Sequence, residues 1–278
     1  MLMKTFPAID PIRAQRMNTA ELREAFLLEN LFQPDAVILV YSENDRAVIG
    51  SVVPRQEKLA LATAKELAAN YFAERREIGV LNIGGAGQVV VDAKLFDLAN
   101  RDMLYIGRGA KEIIFSSENP LTPAAFFLMS FPAHQTYPTR VARFSEAAAV
   151  RLGSPENANQ RTIYKYIHPG GIQSCQLVMG FTQLQSGSIW NTMPPHTHAR
   201  RMEVYMYFDL PENARVFHFM GQPEETRHLV VANRQAVISP SWSIHSGAAT
   251  SAYAFCWAMG GENQAFEDMD GVRIEQLR

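Results

Sequence analysis

Hydrophobic and polar positions recur at helical spacing near the start of the chain. This pattern predicts a helix from about Met17 to Leu31, because Asn18 can cap it with Glu21 three residues later. The positions that repeat along this helix are Leu22, Ala25, Phe26 and Glu29. A second Ala- and Leu-rich stretch, from Glu57 to Asn70, could hold a short helix.

Beyond these stretches the apolar runs are short and are separated by turn residues. Ala36 to Ser42 and Arg46 to Val53 predict a hairpin around Glu43-Asn44-Asp45. Many short strands with closely spaced turns indicate a sandwich, jelly roll or barrel. The stretch from Ser145 to Gly171 is interpreted as a connector because it is rich in Gly, Pro and Asn. The further strand-like runs are Gly79 to Ile83, Gln88 to Val91, Met103 to Ile106, Ile113 to Phe115, Cys175 to Leu184, Met202 to Phe208, Ala214 to Met220, His228 to Val231, Ala236 to Ile238 and Tyr253 to Met259.

Two segments, one in each half of the chain, have the same layout. Arg101 to Gly107 is followed by Glu112, and Arg234 to Pro240 is followed by His245. In each, an apolar strand runs into a tight turn and a polar residue follows five positions later. We therefore expect a mainly β chain with two barrels, one in residues 1–150 and one in 151–278.

Composition narrows the class of protein. Hydrophobic residues make up 47% of the 278 residues and charged residues 19%, so the chain can bury a core and general disorder is excluded. The 26 basic and 28 acidic residues leave a net charge of −2. No basic excess exists to hold a nucleic acid or an anionic membrane by bulk attraction, and neither partner is expected.

Cysteine use and the N-terminal sequence bear on location. Cys175 and Cys256 lie in apolar strand-like runs, a pattern that is typical of a reducing compartment and not of a disulfide framework. The chain starts without the apolar stretch of a signal peptide, and its longest apolar runs are far too short to span a bilayer. We expect a soluble, cytoplasmic protein.

Five of the seven histidines lie between His196 and His245. On a strand, His196 and His198 would point to the same side, Glu203 opens the next apolar strand, and His245 follows a Pro-initiated turn. Three imidazoles and one carboxylate that converge from different strands form a divalent transition-metal site with room for water or substrate. This set of ligand types does not settle which metal is bound, and the same histidines could instead be ordinary surface or core residues.

The region from Gly187 to Glu203, followed by the turn from Pro240 to His245, resembles the two motifs of the cupin superfamily. Longer strings resemble one family within it, the 5-keto-4-deoxyuronate isomerases of pectin and oligouronate breakdown. The resemblance extends over nearly the whole chain, from the first helix to Asp268-Met-Asp270. The strings are Glu74-Arg-Arg-Glu77, Asn82-Ile-Gly-Gly-Ala-Gly87, Trp190-Asn-Thr-Met-Pro194, Arg200-Arg-Met-Glu-Val204, Met220-Gly-Gln-Pro223, Glu225-Thr-Arg-His228, Ser239-Pro-Ser-Trp-Ser-Ile-His-Ser-Gly247 and Gly261-Glu-Asn-Gln264.

The resemblance implies a ketol-isomerase with two cupin-type jelly-roll barrels and a homohexameric assembly. It also implies one zinc ion per chain, held in the second barrel by His196, His198, Glu203 and His245. In the first half, Glu112 matches His245 and no His-x-His precedes it. We therefore expect the first barrel to be degenerate and free of metal, since one carboxylate cannot hold a transition metal alone.

Isomerisation of a small uronate-derived substrate needs a base and a cation for the carboxylate. Outside the ligands, the candidate bases are Lys165, His228 and Glu225. Tyr205 would share the inward face of Glu203, where it could move protons or simply pack. Because the net charge cannot attract an anion, a local arginine is required. The candidates for this role are Arg161, Arg200, Arg201 and Arg227.

Three other functions fit the same ligand types. They are a cupin isomerase acting on 5-deoxyglucuronate, an iron-dependent dioxygenase, and a non-enzymatic sugar-binding cupin. Turnover with zinc in the absence of oxygen would exclude the dioxygenase. A sugar-binding cupin often lacks a complete ligand set, whereas the set here is complete in the second half. No helix-turn-helix segment or basic patch favours a regulator.

Overall fold

The computed structural model describes residues 3–265 and 267–278 and is mainly β. The helices are α1 (Pro11–Arg16) and α2 (Thr19–Phe26). The strands are β1 (Lys4–Phe6), β2 (Leu27–Leu28), β3 (Ala36–Ser42), β4 (Val48–Val53), β5 (Leu59–Ala60), β6 (Arg76–Asn82), β7 (Gly87–Val91), β8 (Lys94–Leu98), β9 (Met103–Ile106), β10 (Ile113–Ser117), β11 (Phe126–Pro132), β12 (Arg140–Ala142), β13 (Ala148–Leu152), β14 (Arg161–Ile167), β15 (Val178–Leu184), β16 (Trp190–Asn191), β17 (His196–Thr197), β18 (Arg201–Phe208), β19 (Val216–Gln222), β20 (Glu225–Val231), β21 (Ala236–Ser239), β22 (Ser246–Ala249), β23 (Ala254–Gly261) and β24 (Asp270–Gly271).

The chain divides into two compact units, and each contains a seven-stranded and a four-stranded sheet. In unit 1 the orders are β1-β3-β4-β11-β6-β9-β12 and β5-β10-β7-β8. Its inward-facing side chains form an apolar core that includes Ile78, Val80, Leu104 and Phe126, each with 0% or 1% of its surface exposed. Alternation along each strand places these side chains on one face of the sheet.

Unit 2 repeats this two-sheet arrangement and also contains a two-stranded sheet, β17-β24. Its sheets have the orders β13-β14-β15-β23-β18-β21-β2 and β16-β22-β19-β20. β9 and β21, from the two segments with matching sequence layout, are both the sixth strand of their sheets. Arg101 and Arg234 precede these strands, and both have a left-handed backbone, with φ of 69° and 63°. The prediction of two jelly-roll barrels in one chain is confirmed.

The compact units are not continuous stretches of sequence. Unit 1 comprises the described residues up to Phe6, Asn30–Ala147 and Tyr166–Val178, and unit 2 comprises Pro7–Glu29, Ala148–Lys165 and Met179–Arg278. Residues 7–29 belong to unit 2 because β2 pairs with β21 and α1 contacts β19. The division therefore differs from a single cut after residue 150.

Three local predictions need correction or refinement. Asn18 and Glu21 form the expected capping box, but α2 ends at Phe26 because Leu27 and Leu28 pair with β21. The stretch from Glu57 to Asn70 holds β5 and a single 3₁₀ turn instead of an α-helix. The connector interpretation of Ser145 to Gly171 is wrong, because β13 and β14 lie there and pair with each other.

Among the described residues, no helix is both long enough and apolar enough to cross a bilayer.

Candidate active site

Four side chains from separate elements of unit 2 meet inside its barrel. His196 lies on β17, which pairs with β24, and His198 follows directly after that short strand. Glu203 lies on β18 opposite Ser239 of β21, and His245 immediately precedes β22. His198, Glu203 and His245 are buried and His196 is half-buried. The barrel therefore brings together all four residues that the sequence predicted as ligands.

The donor atoms of these residues lie close to one another. Glu203 Oε2 is 3.1 Å from His198 Nε2 and 2.9 Å from His245 Nε2. His196 Nε2 is 3.1 Å from His198 Nε2 and 3.0 Å from His245 Nε2. All four atoms lie within 4.8 Å of one another, so the cluster can hold a metal ion.

The chemistry of this donor set fits a divalent transition metal. Imidazole nitrogens and a carboxylate oxygen are ligands of Zn²⁺, Fe²⁺, Mn²⁺ and Ni²⁺. The three Nε2 atoms and the carboxylate oxygen face one another, so a single cation between them could satisfy all four. Moreover, the other ring nitrogen of His245, Nδ1, is buried without a hydrogen-bond partner among the described residues.

Burial and charge act in opposite directions on the cluster. Burial lowers the pKa of His196 to about 3, helped by the neighbouring His245, which keeps the imidazole neutral and able to bind a metal. Burial opposes ionisation of Glu203, but the charge and hydrogen bonds of His245 and His198 outweigh it and lower the pKa of the carboxyl. The set therefore offers a neutral imidazole at His196 and an anionic oxygen at Glu203.

A second layer of contacts orients His198. Its Nδ1 lies 2.8 Å from the carbonyl oxygen of Asp268 and 3.0 Å from Arg201 Nη2, and these contacts hold the ring so that Nε2 faces the cluster. Arg201 is 1% exposed and its Nη2 donates to the same carbonyl at 2.7 Å. Arg200 holds the carboxylate of Asp268 through charged hydrogen bonds. The orientation of His198 by Asp268 was not predicted from the sequence, although the string Asp268-Met-Asp270 marked the end of the family resemblance.

The cluster opens into a cavity of about 280 Å³. Its walls are mostly apolar, which limits the access of water. The lining residues are Leu152, Arg161, Ile163, Thr182, Thr192, Met193, Pro194, His196, His198, Glu203, Tyr205, Phe255, Trp257, Met259 and Met269. Two of the predicted substrate-binding residues, Arg161 and Tyr205, are therefore in the cavity wall together with three of the four donor residues.

Arg161 is the positively charged side chain in the lining of this cavity. It lies at the start of β14, is half-buried, and donates from Nη1 to the carbonyl oxygen of Asn159 at 2.9 Å. Within the described part of the chain, no carboxylate lies within 4.0 Å of its guanidinium. Burial lowers the pKa of Arg161, and the nearby Tyr205 opposes this. An unpaired guanidinium in an apolar wall is a receptor for an anionic group.

Tyr205 lies two residues beyond Glu203 on the same inward face of β18. Its hydroxyl lies 3.1 Å from the Thr192 hydroxyl, and the side chain is buried. Burial, together with the charge of Glu203, raises the pKa of Tyr205 well above its ordinary value. The phenol therefore keeps its proton at neutral pH and offers it to the cavity.

The other predicted arginines have partners elsewhere. Arg200 pairs with Asp268, and Arg201 donates to backbone carbonyls behind His198. Arg227 pairs with Glu225 at 3.0 Å and donates to the carbonyl oxygen of Gln15. None of these three arginines lines the cavity.

The three predicted bases also lie outside the cavity wall. Glu225 and His228 are on β20 and are exposed. Lys165 lies on β14, where alternation puts it on the face that carries Arg161 and Ile163. Of the three, Lys165 is the one whose strand borders the cavity, and their catalytic role stays a prediction.

Comparison with known proteins assigns the family. The model of the KduI/IolB family matches residues 28–274. The chain belongs to the KduI/IolB family. It is 54% identical over 270 residues to the 4-deoxy-L-threo-5-hexosulose-uronate ketol-isomerase of Shouchella clausii, covering 97% of this chain and 98% of that protein. A protein of the same name from Escherichia coli is 50% identical over 273 residues, covering 98% of each chain.

Solved structures confirm the fold of this KduI/IolB family member. An IolB-like protein from Salmonella typhimurium superposes with a TM-score of 0.72 at 14% identity, covering 89% of this chain and 96% of that one. Oxalate decarboxylase from Bacillus subtilis superposes with a TM-score of 0.62 at 10% identity, covering 86% and 78%. At these identities the likeness concerns the fold alone.

In this family member, unit 1 has different residues at the positions that match the donor set. Ile78 pairs with Ile106 on β9 as Glu203 pairs with Ser239 on β21, so Ile78 occupies the place of the metal-site glutamate. Ile78 belongs to the apolar core. Glu112 precedes β10 as His245 precedes β22, and it is exposed.

Replacing Glu112 by alanine is therefore expected to leave both metal content and turnover unchanged within about 20% of the wild type, since no cluster of ligand side chains surrounds this carboxylate among the described residues of its barrel. Metal per chain by inductively coupled plasma mass spectrometry is the measurement, with the exposed Glu118→Ala as the matched control. Loss of a metal equivalent in Glu112→Ala alone would overturn the assignment of a metal-free first barrel.

Proposed function

We propose that this protein is a zinc-dependent ketol-isomerase that converts 4-deoxy-L-threo-5-hexosulose uronate to 3-deoxy-D-glycero-2,5-hexodiulosonate. The observation that carries the proposal is the coexistence, in one cavity, of a His₃Glu donor set and an arginine without a carboxylate partner. The reaction needs both features, because its substrate has an aldehyde and a hydroxyl at one end and a carboxylate at the other.

The reaction moves hydrogen between adjacent carbons without a net change in composition. A proton leaves C2, an enediol forms, and a proton returns at C1, so the C1 aldehyde becomes an alcohol and the C2 alcohol becomes a ketone. A divalent ion bound by His196, His198, Glu203 and His245 would polarise the carbonyl and stabilise negative charge on the two oxygens. Zinc fits this role because no change of oxidation state is required.

Arg161 would hold the carboxylate of the substrate. Its guanidinium faces the cavity and has no competing acid within the described part of the chain. A guanidinium can donate two parallel hydrogen bonds to a carboxylate, which fixes the direction of the substrate as well as its position. The aldehyde end would then lie toward the donor set.

Tyr205 would hold a proton next to the reacting oxygens. Its raised pKa keeps the phenol protonated, and the Thr192 hydroxyl, 3.1 Å away, fixes its orientation. A neutral donor in this place favours the enediol over the separated charges. The apolar wall around it, with Leu152, Phe255 and Met259, excludes water that would compete for the same proton.

The carbon base remains one of the predicted candidates. Lys165 shares the strand face of Arg161, whereas His228 and Glu225 lie on the exposed strand β20. This placement favours Lys165 among the three. The homohexamer implied by the family resemblance also stays part of the proposal, as does the cytoplasmic location expected from the cysteine pattern and the N-terminal sequence.

Turnover of the uronate by the purified protein tests the proposed function. We expect activity under nitrogen that falls by at least about 100-fold when a chelator removes the metal, because the donor set has no positive charge to replace the ion. The activity should return when one equivalent of zinc is added. Nuclear magnetic resonance of the product reports the new CH₂OH group directly. 5-Deoxyglucuronate serves as the competing substrate.

The outcomes separate the candidates. Faster turnover of 5-deoxyglucuronate would replace the proposed substrate, and oxygen uptake with iron would indicate a dioxygenase. Binding of the uronate without turnover in the zinc-loaded protein would support a non-enzymatic sugar-binding cupin.

A further inference from the structure

Unit 1 contains a cavity of its own, of about 260 Å³, close in volume to the cavity of unit 2. It lies at the end of the apolar core, where β6 begins. The lining residues are Tyr41, Arg46, Glu66, Leu67, Ala69, Phe72, Arg75, Arg76 and Pro132. Three of these are arginines and one is acidic, so the lining is cationic.

The cavity lies at the end of β6 that matches the end of β18 where Glu203 is found. Arg76 is two residues before Ile78, as Arg201 is two residues before Glu203. Arg76 and Ile78 therefore share the inward face of β6, and Arg76 closes the apolar core at the strand start. The first barrel thus has a buried arginine at the position of Arg201, next to the apolar residue that replaces the metal-site glutamate.

Arg76 is buried, with only 6% of its surface exposed. Its Nε donates to Ser130 Oγ at 3.1 Å, and its Nη2 donates to the carbonyl oxygens of Ser130 and Arg46. These acceptors are all neutral, and no carboxylate lies within 4.0 Å in the described residues. Burial lowers the pKa of Arg76 to about 10, and it remains charged at neutral pH. Buried cations are ordinarily paired with an anion, whereas the Arg76 guanidinium has no counterion among the described residues.

Several other polar side chains near Arg76 also lack hydrogen-bond partners among the described residues. The Arg46 guanidinium and the Tyr41 hydroxyl make no hydrogen bond or ion pair with any described residue. Arg75 differs from them, because its Nη2 donates hydrogen bonds to the carbonyl oxygens of Leu67 and Ala68. The Glu66 Oε2 is buried and has no hydrogen-bond partner among the described residues.

We propose that this cavity is a second ligand site, which binds a small polyhydroxy carboxylate with its carboxylate on Arg76 and Arg46 and one hydroxyl on Glu66. Two guanidinium groups match the planar carboxylate, and a ligand hydroxyl supplies the donor that Glu66 Oε2 lacks. Inorganic phosphate is also an anion and also carries O–H donors. Its negative charge, however, is spread over the whole compact ion, so it cannot place a neutral hydroxyl at Glu66 while its charge stays on the arginines, and the carboxylate of Glu66 would repel it.

The proposal is independent of the activity proposed for unit 2. Isothermal titration with D-galacturonate is the first measurement, because this probe has one carboxylate and several hydroxyls. We expect two binding sites per chain in the wild type. Arg46→Ala should lower the affinity of one site about tenfold or more, and Arg161→Ala should lower the affinity of the other. Arg46 is exposed, and its side chain has no hydrogen bond or ion pair with the residues that the structure describes, so its replacement should not disturb folding.

Matched variants sharpen the result. Arg140→Ala, also an exposed arginine of unit 1, should leave both sites unchanged. Glu66→Gln should weaken D-galacturonate severalfold but strengthen acetate, which has the carboxylate without the hydroxyls. Turnover of the uronate should not change in Arg46→Ala.

Two results would overturn the proposal. One is equal galacturonate binding by the wild type and Arg46→Ala. The other is phosphate binding that depends on Arg46 while galacturonate binding does not, which would make the cavity a simple inorganic-anion site. If the wild type showed the Arg46-dependent binding of galacturonate but no Arg161-dependent binding, the result would count against the proposed function of unit 2. It would leave the proposed second site supported.

Discussion

Replacing His245 by alanine is expected to lower isomerisation by at least about 10³-fold and to remove the bound metal. His245 Nε2 lies 2.9 Å from Glu203 Oε2 and 3.0 Å from His196 Nε2, so its imidazole fills one of four corners around a common point. Without it, three donors remain and the carboxylate loses one of its two hydrogen-bonding partners. Loss of a stabilising charge at the reacting oxygens costs several kcal/mol, which corresponds to this rate.

Metal content and turnover should be measured on the same preparation. Thermal unfolding, monitored by circular dichroism, shows whether the variant keeps its fold. His218→Gln is the matched control, because His218 is also a fully buried histidine of unit 2, bonded at Nδ1 to the Tyr207 hydroxyl 2.7 Å away, and it is not in the donor set. The control should keep its metal. A folded, metal-free His245→Ala that turned over at the wild-type rate would show that the cluster is not the active site.

The donor set could be predicted from sequence because its positions follow from strand geometry. A His-x-His pair at strand spacing points both imidazoles to one side, a glutamate opens the next apolar strand, and a Pro-led turn returns His245 to the same barrel. Matched turns at Arg101 and Arg234 similarly predicted the duplicated barrels, since both turns demand the same left-handed backbone. Periodicity and turn chemistry are local properties, and a single sequence contains them.

Arg161 was selected as one of four equivalent arginines, and only the fold separates it from the others. The segment around it contains Gly, Pro and Asn and was interpreted as a connector, whereas β14 pairs with β13 and has Arg161 at its first position. The β14 sequence is itself rich in β-branched and aromatic residues, so the strand was missed because Gly, Pro and Asn flank it. Leu27 and Leu28 are a different case, since they leave the predicted helix to pair with β21, more than 200 residues away in sequence.

The contacts behind the ligands also required the structure. Asp268 lies 70 residues beyond His198 in sequence, yet its backbone carbonyl oxygen is 2.8 Å from Nδ1 of that imidazole. A carbonyl has no sequence signature, since every residue carries one. Its orienting effect depends on Arg200 and Arg201, which were predicted to bind substrate and which instead hold Asp268 in place.

Replacing Arg161 by alanine should lower kcat/KM for the uronate about 10²-fold, mainly through KM, while the metal content stays at the wild-type value. The loss corresponds to about 2–3 kcal/mol for a paired, charge-assisted hydrogen bond in a partly buried site. Arg161→Lys should recover only part of it, because an ammonium keeps the charge but cannot form the two-pronged contact. Steady-state kinetics over a wide substrate range separates KM from kcat.

The charge of the substrate gives the decisive comparison. An analogue in which the carboxylate is replaced by a primary alcohol has nothing for the guanidinium to bind, so wild type and Arg161→Ala should convert it at similar rates. Arg151→Ala serves as the control, since this exposed arginine lies on the neighbouring strand β13, opposite Thr162. If Arg161→Ala lost the same factor on the alcohol as on the uronate, the arginine would support the wall of the cavity, and the carboxylate would have to bind elsewhere.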